Sequence, residues 1–527
     1  MKRYLSKRKG IVIFAVILML ITTIPYVIGY SKEGSDWRFT GFVIGVEDGN
    51  SYLAKMLSGS EGNWLFRSPH SAEEQDGVVA YLPYLLLGKL ASGESRHQQL
   101  VALYHSARII FGILSILATY DFIKIFITKK DQRWRALILV ILGGGLGWVL
   151  VAISQKGFLG SLPLEFISPE SFGFLGIFGF PHLAAARALL LWGLVLFIKQ
   201  EQGYLAGALW LAAGIFQPMV AAVAWAVIGV YFMTILIVNK VENGKIFDVE
   251  PGLVRRMFFR SIQSVLVSAP IVLYTALIFV IDPYFKAWTA QNRFPSPHIA
   301  HYIIAYGLVL PLAISGILKI LKKGRIEGLL LAGWVVILPV LVYAPVITQR
   351  RLAEGIWAVL VIGLFCNYTE NEKLPFSANI ISLLLLPSTI FIFIGSILQT
   401  LNPAEPVFRK ANEVAAYEFL SVNSPQDAVV LSSFVTGNNL PAWAPVRVVI
   451  GHGPETIGLK SLMVEINDYF GEKVAEKDCK VFFGKYQTEY LFWGPEEISM
   501  WDYEPGLSDC LSLIFDRQGY TIYEVTY

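Results

Sequence analysis

Residues 11–30 read IVIFAVILMLITTIPYVIGY, an apolar stretch without a charged side chain. A bilayer core of about 30 Å requires roughly 20 apolar residues in a helix, because only helices and closed barrels pair their own backbone polar groups in lipid. Similar stretches recur to about residue 400, at helical rather than strand length. We predict eleven membrane-spanning helices, at residues 11–30, 100–128, 134–155, 172–199, 203–217, 218–239, 259–281, 301–321, 327–346, 351–367 and 379–399.

The composition supports this fold class, an α-helical integral membrane protein. Hydrophobic residues make up 55% of the 527 residues, charged residues make up 16%, and the mean hydropathy is +0.55, which is unusual for a soluble domain. The sequence has no phosphate loop, no glycine-rich dinucleotide motif and no Cys/His set with zinc spacing, which argues against a nucleotide-driven enzyme. The cytoplasmic loops account for the net charge of +3, so we expect no nucleic-acid partner.

Clusters of Lys and Arg predict the orientation, because cytoplasmic loops retain these residues. The clusters are Lys2, Arg3, Lys7, Arg8 and Lys9, then Lys129, Lys130, Arg133 and Arg135, then Lys240, Lys245, Arg255, Arg256 and Arg260, and finally Lys319, Lys322, Lys323 and Arg325. All four fall on the same side of an eleven-span protein. We therefore predict a multi-pass protein of the cell membrane with a cytoplasmic N-terminus and an extracytoplasmic C-terminal domain.

The predicted membrane domain, residues 1–400, contains a long, polar first external loop at residues 31–99. A short interfacial helix is predicted over residues 50–57, because apolar side chains recur there at helical spacing: Tyr52, Leu53, Met56 and Leu57. Residues 78–87 are apolar but too few to span a bilayer, and Pro83 lies in their middle. They are predicted to form a re-entrant or interfacial element.

Residues 401–527 are predicted to form a small extracytoplasmic α/β domain, because apolar runs shorten there to strand length. Predicted strands alternate with helices, a pattern typical of a mostly parallel sheet. The strands are predicted at residues 428–431, 446–450, 490–493 and 520–525, and the helices at 410–421 and 456–470. Cys479 and Cys510 both lie in this domain, either as a disulfide or as two free buried thiols.

Glu47 and Asp48, in the sequence VEDGNSY at residues 46–52, are the candidate catalytic residues. They follow the first span and face the outside in the predicted topology. A partly desolvated carboxylate can act as a base toward an acceptor hydroxyl or amine, or it can hold a divalent cation. The alternative is a solvated acidic loop in which Asp48 caps the following helix.

Arg350 and Arg351, in the sequence TQRR at residues 348–351, lie on the external side, where basic residues are disfavoured. Guanidinium groups bind phosphate oxygens in a bidentate manner, which indicates a lipid phosphate or pyrophosphate as the ligand. The alternatives are anchoring to lipid headgroups and pairing with Glu354.

Further polar residues are predicted on the same side, and polar groups at membrane depth are costly unless they are used. The additional substrate-site candidates are Gln349, His182, Gln217, Gln291, Asn292 and His298. Each alone is more often explained by a structural role, such as a satisfied histidine or a proline-linked turn, and it is their shared side that indicates a site. The GHGPET turn at residues 451–456 either binds an anion at a helix N-terminus or is a plain turn with Thr456 as the helix cap.

In these features the chain resembles the GT-C superfamily of membrane glycosyltransferases, which includes protein O-mannosyltransferases, aminoarabinose transferases and oligosaccharyltransferase catalytic subunits. The resemblance rests on the internal N-terminus, the large first external loop with its acidic motif, about eleven spans and the external C-terminal domain. The tail lacks the Trp-Trp-Asp signature of oligosaccharyltransferases, so the resemblance does not extend to their peptide acceptor.

The resemblance implies a hexosyltransferase-type enzyme of the cell envelope. Its donor would be a polyprenyl-phosphate-linked sugar, and its acceptor a glycan, lipid or protein. Asp48 would be the general base, Glu47 its neighbour or a ligand of a divalent metal ion, and Arg350 and Arg351 the donor phosphate-binding residues. Two other classes stay open: a transporter or flippase of lipid-linked saccharides, for which internal repeats are expected, and a non-catalytic envelope assembly protein that contacts a partner through its tail.

Overall fold

The computed structural model describes residues 8–155, 157–241, 247, 250–368, 376–471 and 478–527. The chain divides into two compact units. Unit 1 contains Met1–Thr23, Ala107–Ala276 and Arg293–Gly395, and unit 2 contains Ile24–Ser106, Leu277–Asn292 and Ser396–Tyr527. The C-terminal part of unit 2 begins close to the predicted domain boundary at residue 400. Unit 2 differs from the predicted domain because it also includes the first external loop and the short segment before Arg293.

Helices dominate the described chain. They are α1 (Lys9–Ile21), α2 (Ile24–Ser31), α3 (Val46–Ser60), α4 (Leu82–Gly88), α5 (Arg96–Phe126), α6 (Lys130–Leu142), α7 (Gly147–Ala152), α8 (Leu164–Ile167), α9 (Gly173–Gly179), α10 (Pro181–Lys199), α11 (Gly203–Phe216), α12 (Pro218–Val241), α13 (Leu253–Ile281), α14 (Pro283–Gln291), α15 (Ile299–Tyr306), α16 (Leu310–Lys322), α17 (Glu327–Val342), α18 (Ile356–Cys366), α19 (Phe376–Leu384), α20 (Pro387–Leu401), α21 (Ala411–Asn423), α22 (Phe434–Asn439), α23 (Leu459–Phe470), α24 (Cys479–Lys485) and α25 (Pro495–Met500).

Six helices of the described residues are long and apolar enough to cross a membrane: Lys9–Ser31, Arg96–Phe126, Pro181–Lys199, Pro218–Lys240, Leu253–Ile281 and Asn379–Leu401. The bent pair α15 and α16, with 66° between its two helices, adds a seventh if it counts as one span. The chain is therefore a helical membrane protein, as predicted. The count of eleven spans is not confirmed.

Four predicted spans are wrong as continuous helices. Residues 172–199 divide into α9 and α10, and residues 301–321 divide into the bent pair α15 and α16. Glycines interrupt the other two. Residues 134–155 divide into α6 and α7 at a Gly-Gly-Gly sequence, where a side chain on Gly145 would collide with the backbone of Ala305. Residues 351–367 begin instead in a 3₁₀ turn, Gln349–Ala353, and α18 starts only at Ile356. Gly355 separates the two with a φ of +81°, a conformation that favours glycine.

Unit 2 contains two sheets. The smaller pairs β1 (Trp37–Phe39) with β2 (Phe408–Lys410) in antiparallel register, so the first external loop and the tail share a sheet. The larger sheet contains β3 (Val429–Leu431), β4 (Arg447–Val448), β5 (Tyr490–Trp493), β6 (Leu511–Arg517) and β7 (Tyr520–Val525), in the order β4-β3-β5-β7-β6.

The prediction of a mostly parallel sheet is wrong in part. β3 runs parallel to β4 and β5, but β7 is antiparallel to both β5 and β6. The four predicted strands are present, and β6 is an additional one that the sequence analysis missed. β6 and β7 are joined by a two-residue turn in which Gln518 and Gly519 have positive φ angles of 48° and 84°, as in the tight turns that suit hairpins.

Helices α3 and α4 correspond to the two short elements predicted in the first external loop. α3 buries Leu53, Met56 and Leu57 along one face, which confirms the helical spacing predicted for residues 50–57. α4 is a seven-residue helix, far too short to span a bilayer. In the tail, Cys479 and Cys510 form a disulfide, which selects one of the two predicted alternatives.

Candidate active site

The acidic pair lies in the first turn of α3 rather than in a loop. Gly45 precedes the helix with a φ of +56°, which lets the chain turn directly into it. Carboxylates are favoured at this end of a helix, because they interact with its positive dipole end. The alternative in which Asp48 caps a later helix is therefore wrong. The Asp48 side chain is 53% exposed, so solvent and ligands can reach it.

The GHGPET loop, residues 451–456, follows β4 in unit 2. The Thr456 hydroxyl closes this loop by accepting from the backbone N–H groups of Gly451 and His452, at 3.1 and 3.2 Å, and by donating to the carbonyl of His70 at 2.9 Å. The next helix, α23, starts only after Gly458. Thr456 therefore closes the loop and is not the cap of the helix, as one of the predicted alternatives required.

The GHGPET loop contacts both members of the acidic pair. The backbone N–H of Gly453 donates to Glu47 Oε1 at 3.1 Å. Nε2 of His452 lies 3.5 Å from Asp48 Oδ1. The amide of Asn438 also donates to the carbonyl of Glu47 at 3.3 Å. The anion held by this turn is therefore the chain's own Glu47 carboxylate.

Glu455, within this loop, forms a buried ion pair with Lys55 of α3. The carboxylate of Glu455 accepts from Lys55 Nζ at 2.6 Å, from the Ser51 hydroxyl at 2.6 Å and from the Ser68 hydroxyl at 2.7 Å. Two imidazoles face the same carboxylate: Nδ1 of His70 at 3.6 Å and Nδ1 of His452 at 3.7 Å. We call these residues, Ser51, Lys55, Ser68, His70, His452 and Glu455, the Glu455 cluster.

Charge pairing keeps Glu455 ionised. Burial would raise the pKa of its carboxyl, but the nearby Lys55 ammonium and the contact with His70 hold that pKa well below its usual range. Burial lowers the pKa of His70, more than its contact with Glu455 raises it. A neutral His70 and an ionised Glu455 paired with Lys55 leave the interior of the cluster without a large net charge.

Several amides bind the GHGPET loop and α3. Gln291 donates to the carbonyl of Thr456 at 2.7 Å and accepts from the N–H of Gly458 at 3.0 Å. Asn292 donates to the carbonyl of Pro454 at 2.6 Å. Both predicted site residues thus support the loop that contacts Glu47 and Asp48. Three further amides join α3 to the tail, since Asn50 donates to the side-chain oxygens of Asn438 and Asn439 at 2.8 and 2.9 Å.

Arg350 and Arg351 lie in the 3₁₀ turn of unit 1. Nε of Arg351 is 3.6 Å from Glu170, and its guanidinium lies 5.6 Å from the ring centre of Phe294. Nε of Arg350 is buried and has no hydrogen-bond partner among the described residues. Glu354, considered above as their partner, is instead completely buried in an ion pair with Arg187. That pairing leaves a surplus of positive charge beside the turn.

The other predicted site residues of unit 1 occupy separate positions. Gln349, with its amide oriented to satisfy both groups, donates to Ala344 and accepts from Ser296. His182 lies in the first turn of α10, and Gln217 is a buried residue between α11 and α12. His298 caps α15 by accepting from the N–H of Ala300 at 3.2 Å. Their roles in a substrate site stay predictions.

The divalent metal ion also stays a prediction. Across the described ranges, no three His, Cys, Asp or Glu side chains converge in a group that could hold a metal ion. The Glu47 carboxylate, the predicted ligand, is engaged by Gly453. These donor groups do not form the set that a tightly bound metal requires.

A cavity of about 510 Å³ also lies in unit 2, within the range of small-molecule sites. Charged residues are prominent in its lining: Glu61, Arg67, Glu74, Asp76, Asp282, Asp427 and Arg447. Its lining includes neither Glu47 nor Asp48. The acidic pair therefore lies outside this cavity.

Comparison with known proteins identifies the fold. No protein-family model and no curated protein matches the chain. Among solved structures, the apo form of the oligosaccharyltransferase of Archaeoglobus fulgidus is similar with a TM-score of 0.54 and 13% identity, over 92% of this chain and 69% of that one.

Two ligand-bound structures are also similar. One is the same archaeal enzyme with an inhibitory peptide and a dolichol-phosphate, with a TM-score of 0.49 and 13% identity over 90% of this chain and 68% of that one. The other is ArnT from Cupriavidus metallidurans bound to undecaprenyl phosphate, with a TM-score of 0.45 and 13% identity over 96% and 97%. The predicted resemblance to GT-C glycosyltransferases is confirmed at the level of the fold.

Proposed function

We propose that this chain is a membrane glycosyltransferase that transfers a sugar from a polyprenyl-phosphate-linked donor to an acceptor hydroxyl or amine, with Asp48 as general base. One observation carries the proposal: an exposed carboxylate, held at the start of α3 by the GHGPET loop, in a chain with the fold of an oligosaccharyltransferase. The proposed site faces the extracytoplasmic side, with the N-terminus in the cytoplasm.

The reaction is a displacement at the anomeric carbon. The acceptor oxygen or nitrogen forms a bond to that carbon while the bond from carbon to the phosphate oxygen breaks. The phosphate oxygen keeps the electron pair, and the acceptor proton passes to the carboxylate of Asp48. The products are the glycosylated acceptor and polyprenyl phosphate.

The environment of Arg350 is an argument that the donor carries a phosphate. Its buried Nε has no hydrogen-bond partner among the described residues, and a guanidinium can place two N–H groups on one phosphate. Negative charge develops on the leaving phosphate as the bond breaks, so this contact would stabilise the transition state more than the bound donor. Arg351, which already faces Glu170, would contribute less.

Asp48→Asn tests the proposal. The amide is nearly isosteric but does not accept the acceptor proton, so single-turnover transfer from a purified polyprenyl-phosphate sugar should fall roughly 10²- to 10⁴-fold. Binding of the donor and the unfolding temperature should change little. Glu465→Gln is the matched control, because it removes a carboxylate paired with the exposed Lys485 elsewhere in unit 2, and it should keep full transfer. Full transfer by the Asp48→Asn variant would overturn the proposal.

A further inference from the structure

We infer that His452 is a positioning residue for Asp48, and that the GHGPET loop is the device that fixes the acidic pair in its working geometry. The significance for sugar transfer rests on the proposed function. The contact between His452 and Asp48 does not rest on the proposed function, and an experiment without donor or acceptor can test it.

The imidazole of His452 lies between two carboxylates. Its Nε2 is 3.5 Å from Asp48 Oδ1, and its Nδ1 is 3.7 Å from Glu455 Oε1. Only 5% of the His452 side chain is exposed, against 53% for Asp48. A buried ring therefore reaches from a buried carboxylate to an exposed one, as in sites where a carboxylate orients a histidine toward the reacting group.

The buried end of this chain of contacts is fixed. Glu455 accepts from Lys55, Ser51 and Ser68 and is held as the anion, with Lys55 contributing more than His452 to the lowering of its pKa. The Nδ1 atom of His452 is buried and has no hydrogen-bond partner in the described part of the chain. A shift of a few tenths of an ångström would bring it to hydrogen-bonding distance of Glu455, and catalytic contacts commonly tighten when substrate binds.

The loop that carries His452 is itself immobilised. Thr456 closes it, Asn292 and Gln291 bind it, and Gly453 holds Glu47. A side chain on Gly451 would collide with the backbone of Gly437 and Asn438, so the start of the loop is tightly packed. Ring rotation of His452 is the remaining freedom, and Glu455 restricts it.

The consequence concerns the direction of the Asp48 carboxylate. The contact with His452 restricts the rotamers that an exposed aspartate at a helix start can sample. The ionisable groups that face His452 are Asp48, Glu455 and His70, whose ring lies 5.4 Å away, with Lys55 beyond Glu455. Among these, Asp48 is the exposed one, so the effect of His452 on the reaction is exerted there.

Loss of positioning should lower turnover and leave donor binding intact. A misplacement of about 1 Å can cost roughly 10²-fold in rate, so His452→Gln should lower the single-turnover rate roughly 10- to 100-fold with an unchanged KM for the donor. His452→Ala should regain part of its rate on addition of imidazole, which a purely structural defect would not. In the Asp48→Asn background, His452→Gln should cause no further loss, because the two residues act as one unit.

His97→Gln is the matched control. His97 is a second buried histidine of unit 2, stacked on Trp443 and in contact with the carbonyl of Ala442. Among the described residues its contacts are with Ala442 and Trp443 and not with the acidic pair, and we expect its variant to keep the transfer rate within about threefold of the parent. Equal losses in both histidine variants, without imidazole rescue, would overturn the inference.

A second measurement requires neither donor nor acceptor. In a Cys366→Ser background, Asp48→Cys places a thiol beside His452, and a neighbouring imidazole lowers the pKa of a thiol. The pH midpoint of its alkylation should rise by about one unit when His452→Gln is added, while His97→Gln leaves it unchanged. An unchanged midpoint would refute the contact. Full transfer by Asp48→Asn, with the midpoint shift present, would instead overturn the proposed function and leave the contact standing.

Discussion

The Glu455 cluster and the 3₁₀ turn at Gln349–Ala353 differ in how completely their buried charged groups are paired. Glu455 has an ammonium, two hydroxyl donors and two facing imidazoles within unit 2. In unit 1, Glu354 pairs with Arg187 while Nε of Arg350 has no partner in the described chain. A satisfied buried charge stabilises structure, whereas an unsatisfied one is costly unless a ligand completes it. The first region is a scaffold, and the second is the region where we propose that the donor phosphate binds.

The largest expected effect is in the scaffold. Glu455→Gln leaves Lys55 buried without its carboxylate, and breaking such a pair costs about 3–5 kcal/mol of unfolding free energy. Thermal and denaturant unfolding of the purified protein in detergent would measure the loss. Glu465→Gln is the control, because its partner Lys485 is 54% exposed, and the change there should stay within about 1 kcal/mol. A Lys55→Met/Glu455→Leu variant should recover part of the lost stability; a similar loss in the exposed control and the buried variant would remove the distinction drawn above.

A smaller effect is expected in the arginine turn, and it should appear in binding rather than in stability. Arg350→Ala should weaken binding of a polyprenyl-phosphate sugar roughly 10- to 100-fold, because it removes charged hydrogen bonds to the phosphate. Arg350→Lys should fall between parent and alanine variant, since lysine keeps the charge but lacks the planar fork. Arg351→Ala should lose less, because Arg351 already faces Glu170. Unchanged affinity in a double alanine variant would reduce the pair to lipid anchors.

The smallest expected effect is the decrease in the unfolding free energy of unit 2 when His70 and then Glu455 become protonated. Both His70 and Glu455 have lowered pKa values in the folded chain, so the unfolded chain binds more protons than the folded one. Stability is then fully present above the unfolded pKa of each group and falls below about pH 6.5 for His70 and about pH 4.3 for Glu455.

Each of these groups contributes at most about 1.4 kcal/mol per pH unit. Unfolding measured from pH 7 to pH 3.5 should lose the upper step in His70→Gln and the lower step in Glu455→Gln. Stability that rises on acidification over this range would show that the charges of the cluster are assigned wrongly.

Local sequence patterns correctly predicted those helices and strands whose formation is determined by residues close together in the chain. The spacing of Leu53, Met56 and Leu57 predicted α3, and four short apolar runs predicted β3, β4, β5 and β7. β6 was missed because its side chains are largely exposed and show no alternation. The signal that could have revealed it is the Gln518-Gly519 pair between two strand-length segments.

Only part of the candidate site could be predicted from the sequence, because its contacts join distant parts of the chain. Glu47 and Asp48 stood out as adjacent carboxylates, and the GHGPET turn stood out as a strand-to-helix connection. Lys55 gave a signal that went unused, because it lies within the predicted helix 50–57 between apolar residues, and a buried lysine requires a counter-ion. The identity of that counter-ion, Glu455, depends on tertiary structure and not on local spacing.

The pairing of Lys55 with Glu455 also determines when unit 2 can fold during synthesis of the chain. The two residues are 400 positions apart, and a ribosome adds about 5–20 residues per second, so the ammonium emerges roughly 20–80 seconds before its carboxylate. During that interval the Lys55 ammonium lacks the carboxylate that it pairs with in the folded chain. Unit 2 therefore completes its folding only after the tail has been synthesised.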